Sequence, residues 1–105
     1  MTKNYAIVLT TCANDEEAKK IITELLNRKL AACIQTFSIN SHYLWKGEVC
    51  NDDEIILLIK CNESNYSNIE ACILSNHTYE LPEIIVLPIN NGLEKYLNWI
   101  DEVCK

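Results

Sequence analysis

The sequence predicts an α+β fold in which one four-stranded antiparallel sheet carries two helices on one face. Three observations predict it. Apolar runs without helical spacing alternate with amphipathic stretches in the order strand, helix, strand, strand, helix, strand. Lys46 and Gly47 separate two strand-like runs by the two residues that a tight hairpin needs. The two most apolar runs, 5–11 and 54–61, lie in different halves of the chain, and right-handed crossovers place them side by side in mid-sheet.

Residues 5–11, YAIVLTT, are short and β-branched and read as a buried strand. Asn14 caps the helix that follows. Glu17 sits in the reciprocal capping position, and Asp15, Glu16 and Glu17 all lie at the positive end of the helix dipole. Ala18, Ile21, Ile22, Leu25 and Leu26 make one apolar stripe, and Arg28 and Lys29 close the helix at 14–29. Residues 30–46 have no such stripe and are rich in Ile, Phe, Tyr and Trp, so they read as one long strand bent near 38–41. Beyond the hairpin tip, the return strand runs through Glu48, Val49 and Cys50 and loosens at the polar Asn51, Asp52 and Asp53. It resumes as 54–61, whose unbroken apolar centre suits a strand covered on both faces. A second helix fits 63–75, with Tyr66, Ile69 and Ile73 on one side. Pro82 precedes the strand EIIVLPIN, and Pro88 within it cannot donate to a ladder, which makes this strand an edge. Asn91 and Gly92 end it. Leu93, Tyr96, Leu97 and Ile100 form a last amphipathic helix, 93–103. Two β-α-β units joined by a hairpin make the ferredoxin-like sandwich, here a single domain over residues 1–105.

A chain of 105 residues is long enough to bury one core. Its net charge of −6, with basic residues scattered, argues against nucleic-acid binding and against an anionic membrane surface. The opening MTKNYAIVLTTCANDEE lacks the long apolar core of a secretory signal, and no stretch approaches the roughly 18 apolar residues of a membrane span. A cytoplasmic protein without membrane insertion is expected. The six cysteines, at 12, 33, 50, 61, 72 and 104, include no C-x-x-C pair, so neither a zinc knuckle nor a redox motif is present. They read as free thiols buried as small hydrophobes, and Cys72 falls at helical spacing with Ile69 and Ile73.

Five blocks together resemble the CutA family of divalent-cation tolerance proteins. They are LAAC at 30–33, YLWKGEV at 43–49, ILLIKC at 56–61, the motif H-x-Y-E-x-P-E-I-I-x-L-P-I from His77, and YLNWI at 96–100. The resemblance implies a ferredoxin-like subunit assembled as a homotrimer, with weak affinity for copper or another divalent metal, no metal required for folding, and no catalysis. It also points to Cys12 and His77, which match positions implicated in copper binding in bacterial relatives. A thiolate and an imidazole are competent ligands for Cu(I) or Zn(II), but two ligands do not close a site. The neighbouring Asn76 is a poor ligand for a soft metal, so an open, labile site is expected, with Glu80 and Glu83 as outer carboxylates. The same pair, as nucleophile and base, would be the starting point of an enzyme, which needs a fuller constellation.

Two departures from the family pattern bear on this. Thr78 stands where the family usually has proline, which leaves the turn less rigid, and FSINSHY at 37–43 replaces a Pro-Gly bend. Tyr43 and Trp45 sit on a thin hairpin that a monomer leaves uncovered, and packing in a trimer covers them. Lys60 ends a buried strand and needs a carboxylate, for which Glu80 or Glu83 of the same or a neighbouring subunit are the candidates. By analogy with trimeric nitrogen-regulatory signalling proteins of this fold, Trp45, Lys60, Tyr79, Glu80 and Glu83 mark a candidate cleft between subunits. The alternative roles are a small-ligand sensor or a trimeric scaffold that anchors an unidentified protein partner.

Overall fold

A computed structural model of the chain describes residues 4–104. The elements are β1 (Tyr5–Cys12), α1 (Asp15–Asn27), β2 (Cys33–Trp45), β3 (Glu48–Asn62), α2 (Tyr66–Asn76, preceded by a 3-10 turn at Glu63–Asn65), β4 (Ile84–Ile89) and α3 (Glu94–Val103). The sheet order is β2-β3-β1-β4 with every pair antiparallel, so β1 and β3 are central and β4 is an edge, as the sequence predicts.

Residues opposite one another in an antiparallel pair share a face. Ala6, Val8, Thr10 and Cys12 therefore lie beside Cys61, Ile59, Leu57 and Ile55. This first face is the core: Ala18, Ile21 and Leu25 of α1 and Ile69, Cys72 and Ile73 of α2 bury against it. The second face carries Ile7, Leu9, Ile56 and Leu58, flanked by Ile85 and Leu87 of β4 and Phe37 of β2. Phe37 is 54% exposed, Ile85 46% and Leu87 45%, so much of this face has no helix over it.

The start and end of α1 explain its length. Asn14 Oδ1 accepts the Glu17 N–H at 2.9 Å, the expected cap. Glu17 returns a weak bond to Ala13 N–H at 3.4 Å, one residue before the cap. At the other end, Lys29 N–H donates to Leu26 O and Leu30 N–H to Leu25 O, which is a Schellman closure with Lys29 at φ 57. The helix thus stops at Asn27, before Arg28 and Lys29, and Leu26 falls off the buried stripe at 40% exposed.

Two strand expectations need correction. β2 begins at Cys33, because Leu30 and Ala31 are buried in the helix closure and Ala32 N–H already bonds Lys60 O at 2.9 Å. The ladder then runs in unbroken register from Cys33 opposite Lys60 to Trp45 opposite Glu48, with no loosening at 51–53. Polar side chains hold that segment across the ladder: Asn40 donates to Asp53 Oδ1 at 2.9 Å, Asn51 to Asn40 Oδ1 at 2.8 Å, and the Tyr43 hydroxyl to Asp52. These cross-strand bonds replace the apolar pairs that the sequence lacks there.

At the hairpin tip both Lys46 (φ 50) and Gly47 (φ 80) have positive φ, a type I′ turn whose twist matches that of the strands. A side chain at Gly47 meets nothing within 4 Å, so only backbone conformation opposes substitution. Gly47→Val is expected to destabilise by about 1–2 kcal/mol and Gly47→Asn by much less, read from urea midpoints. Equal midpoints for the two variants would contradict this account of the turn.

Candidate metal centre and adjoining groove

β1 runs straight into α1, which brings Cys12 at the strand end and Glu17 in the first helical turn to one corner of the first face. The segment leaving α2 returns to the same corner with His77. One ligand atom each from Cys12, Glu17 and His77 lie within 4.8 Å of one another. Cys12 is fully buried, and the His77 and Glu17 side chains are only 1% and 7% exposed. The structure thus brings the two sequence-derived candidates together and adds a third donor. All three side chains are nearly or fully buried, whereas the sequence pointed to two donors only.

The hydrogen bonds assign the imidazole tautomer. Tyr79 N–H donates to His77 Nδ1 at 3.1 Å, so Nε2 carries the proton and donates to Thr11 O at 2.7 Å. Glu17 Oε1 lies 3.7 Å from the same Nε2. Glu17 Oε2 accepts the Thr78 N–H at 3.2 Å and the Thr78 hydroxyl. Thr78, expected to loosen the turn, instead anchors it, because proline has no N–H to offer this buried carboxylate. Asn76 turns away and donates to Cys72 O at 2.8 Å.

Burial, and then the charge of Glu17, pushes the Cys12 thiol up to about 12. A catalytic cysteine needs the opposite, a thiol poised to ionise beside a cation or helix start. The corner is therefore poorly suited to a nucleophile. A metal ion, which replaces the thiol proton, fits the same donor set: sulfur, nitrogen and carboxylate oxygen are the ordinary ligands of zinc.

On the second face, Thr11, Tyr43, Trp45, Asp52 and Glu54 together with residues 79–85 border an open groove of about 840 Å³. Trp45, Tyr79, Glu80 and Glu83 of the expected cleft all line it. Lys60 does not. Its Nζ lies 3.4 Å from the Tyr96 hydroxyl and 5.4 Å from the centre of that ring, so within the chain α3 meets the ammonium. The groove is acidic, with Asp52, Glu54, Glu80 and Glu83 and no lysine or arginine among its lining residues. Tyr79 spans the two sites: its ring is 4.7 Å from that of His77, and its hydroxyl donates to Glu54 at 2.8 Å. Burial and that bond raise the Tyr79 hydroxyl above its ordinary value.

Sequence reasoning missed Glu17, Glu54 and Thr11. For Glu17 a signal existed: it precedes Ile21 and Leu25 by one and two four-residue steps, which places a carboxylate on the buried stripe of α1. Glu54 gave no such sign, being one of several acidic residues beside an apolar run.

Among the described residues, no helix is long and apolar enough to cross a membrane. A model of the CutA1 family, described as CutA1 divalent ion tolerance protein, matches residues 6–103. The Archaeoglobus fulgidus divalent-cation tolerance protein CutA is 34% identical over 98 residues, covering 93% of this chain and 96% of the relative. The Xenopus laevis CutA homolog is 43% identical over 94 residues, covering 89% of this chain and 62% of the relative. Against the animal and plant relatives the chain spans only 52% to 66% of their length. CutA1 from Oryza sativa has a structure that superposes with a TM-score of 0.94 at 36% identity, covering 99% and 96% of the two chains. For the Thermus thermophilus protein the TM-score is 0.93 at 34% identity, covering 96% and 99%. The Archaeoglobus structure, with a TM-score of 0.91 at 32% identity, covers 97% and 98% and is described as periplasmic.

The six thiols divide by environment. Cys12, Cys61, Cys72 and Cys104 are buried, whereas Cys33 and Cys50 are half-buried. Aromatic disulfide reagents at pH 8 are expected to titrate Cys33 and Cys50 first, with the other four reacting at the rate of unfolding. Burial also raises Cys12 and Cys61 from 9.0 to about 12. On a rise in pH the unfolded chain loses these protons first, so their contribution to stability is complete below about pH 9 and falls from there to about pH 12. Denaturant midpoints that stay level across that window would contradict the assignment.

Proposed function

The chain belongs to the CutA1 divalent ion tolerance family, and from that premise we propose that it is a homotrimeric, cytoplasmic protein binding copper or another divalent metal weakly through Cys12 and His77, without catalysis. The observation that carries the metal reading is the meeting of a buried thiol and a buried imidazole from a strand end and a distant loop. Metal is not needed to fold the chain, because the core between the first sheet face, α1 and α2 is closed by apolar side chains alone. The six free cysteines suit a reducing compartment.

Support for the trimer comes from the second face. Its apolar rows are continuous from Phe37 across Ile56 and Leu58 to Leu9 and Ile85, a surface of the kind that monomers rarely leave to solvent. The hairpin adds Tyr43 at 41% and Leu44 at 76% exposed. A ring of copies also covers the edge strand β4. The groove then opens toward the neighbouring subunits, which favours a second reading: a small cationic ligand held between subunits by the acidic, aromatic lining.

Calorimetric titration of the reduced protein with Cu(I) tests the metal reading. Cys12→Ser and His77→Ala are each expected to weaken binding at least about tenfold, and parent-like binding in both removes it. Light scattering is expected to give about three chains per particle, and Ile85→Glu to dissociate them. A folded parent monomer at micromolar concentration would overturn the assembly.

A further inference from the structure

Glu17 is placed as no cap alone requires. A capping carboxylate at a helix start can stay in water, yet this one is 7% exposed and faces a thiol and an imidazole. Among the described residues no lysine or arginine is bonded to it: its partners are Ala13 N–H, Thr78 N–H and hydroxyl, the Cys12 thiol and the His77 edge. We infer that Glu17 is a third metal ligand whose carboxylate sets the site's preference for a divalent over a monovalent ion. The inference rests on the metal reading of Cys12 and His77 and goes beyond it.

The preference follows from charge in a buried corner. With a thiol, a neutral imidazole and a carboxylate, the metal-free cluster carries one negative charge. An ion that takes the thiolate, the imidazole and the carboxylate displaces the thiol proton to solvent and meets two negative charges. A divalent ion leaves the buried site neutral, whereas a monovalent ion leaves it one charge short. Burying an uncompensated charge is costly, so the balance favours the divalent ion. Without the carboxylate the preference inverts, since thiolate and imidazole alone neutralise a monovalent ion and leave a divalent one with a surplus. Soft Cu(I) is also satisfied by two such ligands, but Zn(II) is not.

The geometry allows this at a cost. Zinc bonds N, O and S at about 2.0–2.3 Å, so atoms spread over as much as 4.8 Å must draw together. Glu17 turns Oε1 toward the imidazole and keeps Thr78 on Oε2, so one-oxygen ligation costs it only the weak Ala13 bond. If the ion takes His77 Nε2, the ring proton moves to Nδ1, and the bond from Tyr79 N–H is lost with it. Each exchange lowers affinity. Thr78 is thereby a positioning residue, holding the carboxylate so that Oε1 faces the ion.

The test is a pair of calorimetric titrations of the reduced, full-length protein, with Zn(II) alone and with Cu(I) alone, on the parent, Glu17→Gln and Thr78→Val. Glu17→Gln is expected to lower Zn(II) affinity at least about tenfold while leaving Cu(I) affinity equal or higher. Thr78→Val keeps the backbone N–H but removes the hydroxyl that positions the carboxylate, and is expected to weaken Zn(II) several-fold with little effect on Cu(I). If Glu17→Gln binds both ions like the parent, or loses both equally while folded by circular dichroism, the inference falls and the Cys12 and His77 reading stands. If Glu17→Gln fails to fold, the Thr78→Val result decides: unchanged or tighter Zn(II) binding overturns the inference. Binding of both ions unaltered in Cys12→Ser and His77→Ala identifies the failure as that of the underlying reading.

Discussion

A carboxylate buried at the first turn of α1 has to be answered by donors from outside its own helix, and that demand organises one whole corner of the molecule. Glu17 is nearly buried and among the described residues has no lysine or arginine partner, so neutral donors come to it. They come from Thr78, on the segment leaving α2. Once Thr78 is held there, His77 is carried over the end of β1, where its ring bonds Thr11 O. Tyr79 then turns back toward Glu54 on β3. The path of residues 77–79 between α2 and β4 is therefore set by hydrogen bonds to β1, α1 and β3, with little apolar packing of its own. Helix start, strand end and loop become one unit.

The fold was legible in the sequence wherever periodicity spoke alone. β1, α2, α3 and the edge position of β4 follow from apolar spacing and from Pro88, and the hairpin tip follows from Gly47. The misjudged places are those where polar side chains decide. Asn51, Asp52 and Asp53 look like a break in a strand, yet they are satisfied across the ladder by Asn40 and Tyr43, partners that become neighbours only once the register is set. At Lys60, within the chain, what the sequence did not announce is the aromatic ring that α3 brings to it. Cys12 and His77 were legible as chemistry. That Glu17 joins them was legible only from its place on the buried stripe of α1, a clue that capping explained away too readily.

The two faces of the sheet divide the work. The first is closed by α1 and α2 within one chain and supplies stability through Ala, Val, Ile and Leu packed without a charge among them until Glu17 is reached at its edge. The second keeps its apolar rows half in water, with α3 over the Lys60 end and the acidic groove at the hairpin end. A strongly apolar centre bounded at one end by a shielded cation and at the other by carboxylates presents a surface for close packing with its charge kept to the two ends.

The metal corner and the groove are not independent, because they share the segment 77–83. Its inner side supplies His77 and Thr78 to the buried cluster, and its outer side supplies Tyr79, Glu80, Leu81, Pro82 and Glu83 to the groove wall. In the proposed site an ion arrives at groups that are already in use, and ligation by His77 Nε2 breaks the bond to Thr11 O that had held this segment to β1 and the bond from Tyr79 N–H. Affinity is then the difference between new metal bonds and lost loop bonds, which makes for weak, exchangeable binding. The lost bonds are also those that aim Tyr79 at Glu54. Occupancy of the corner therefore loosens or redirects the groove wall by mass action on the same hydrogen bonds, and a guest in the groove that stiffens the wall opposes the ion in return. Coupling of this kind needs no long pathway: one short segment with two sets of competing partners is sufficient.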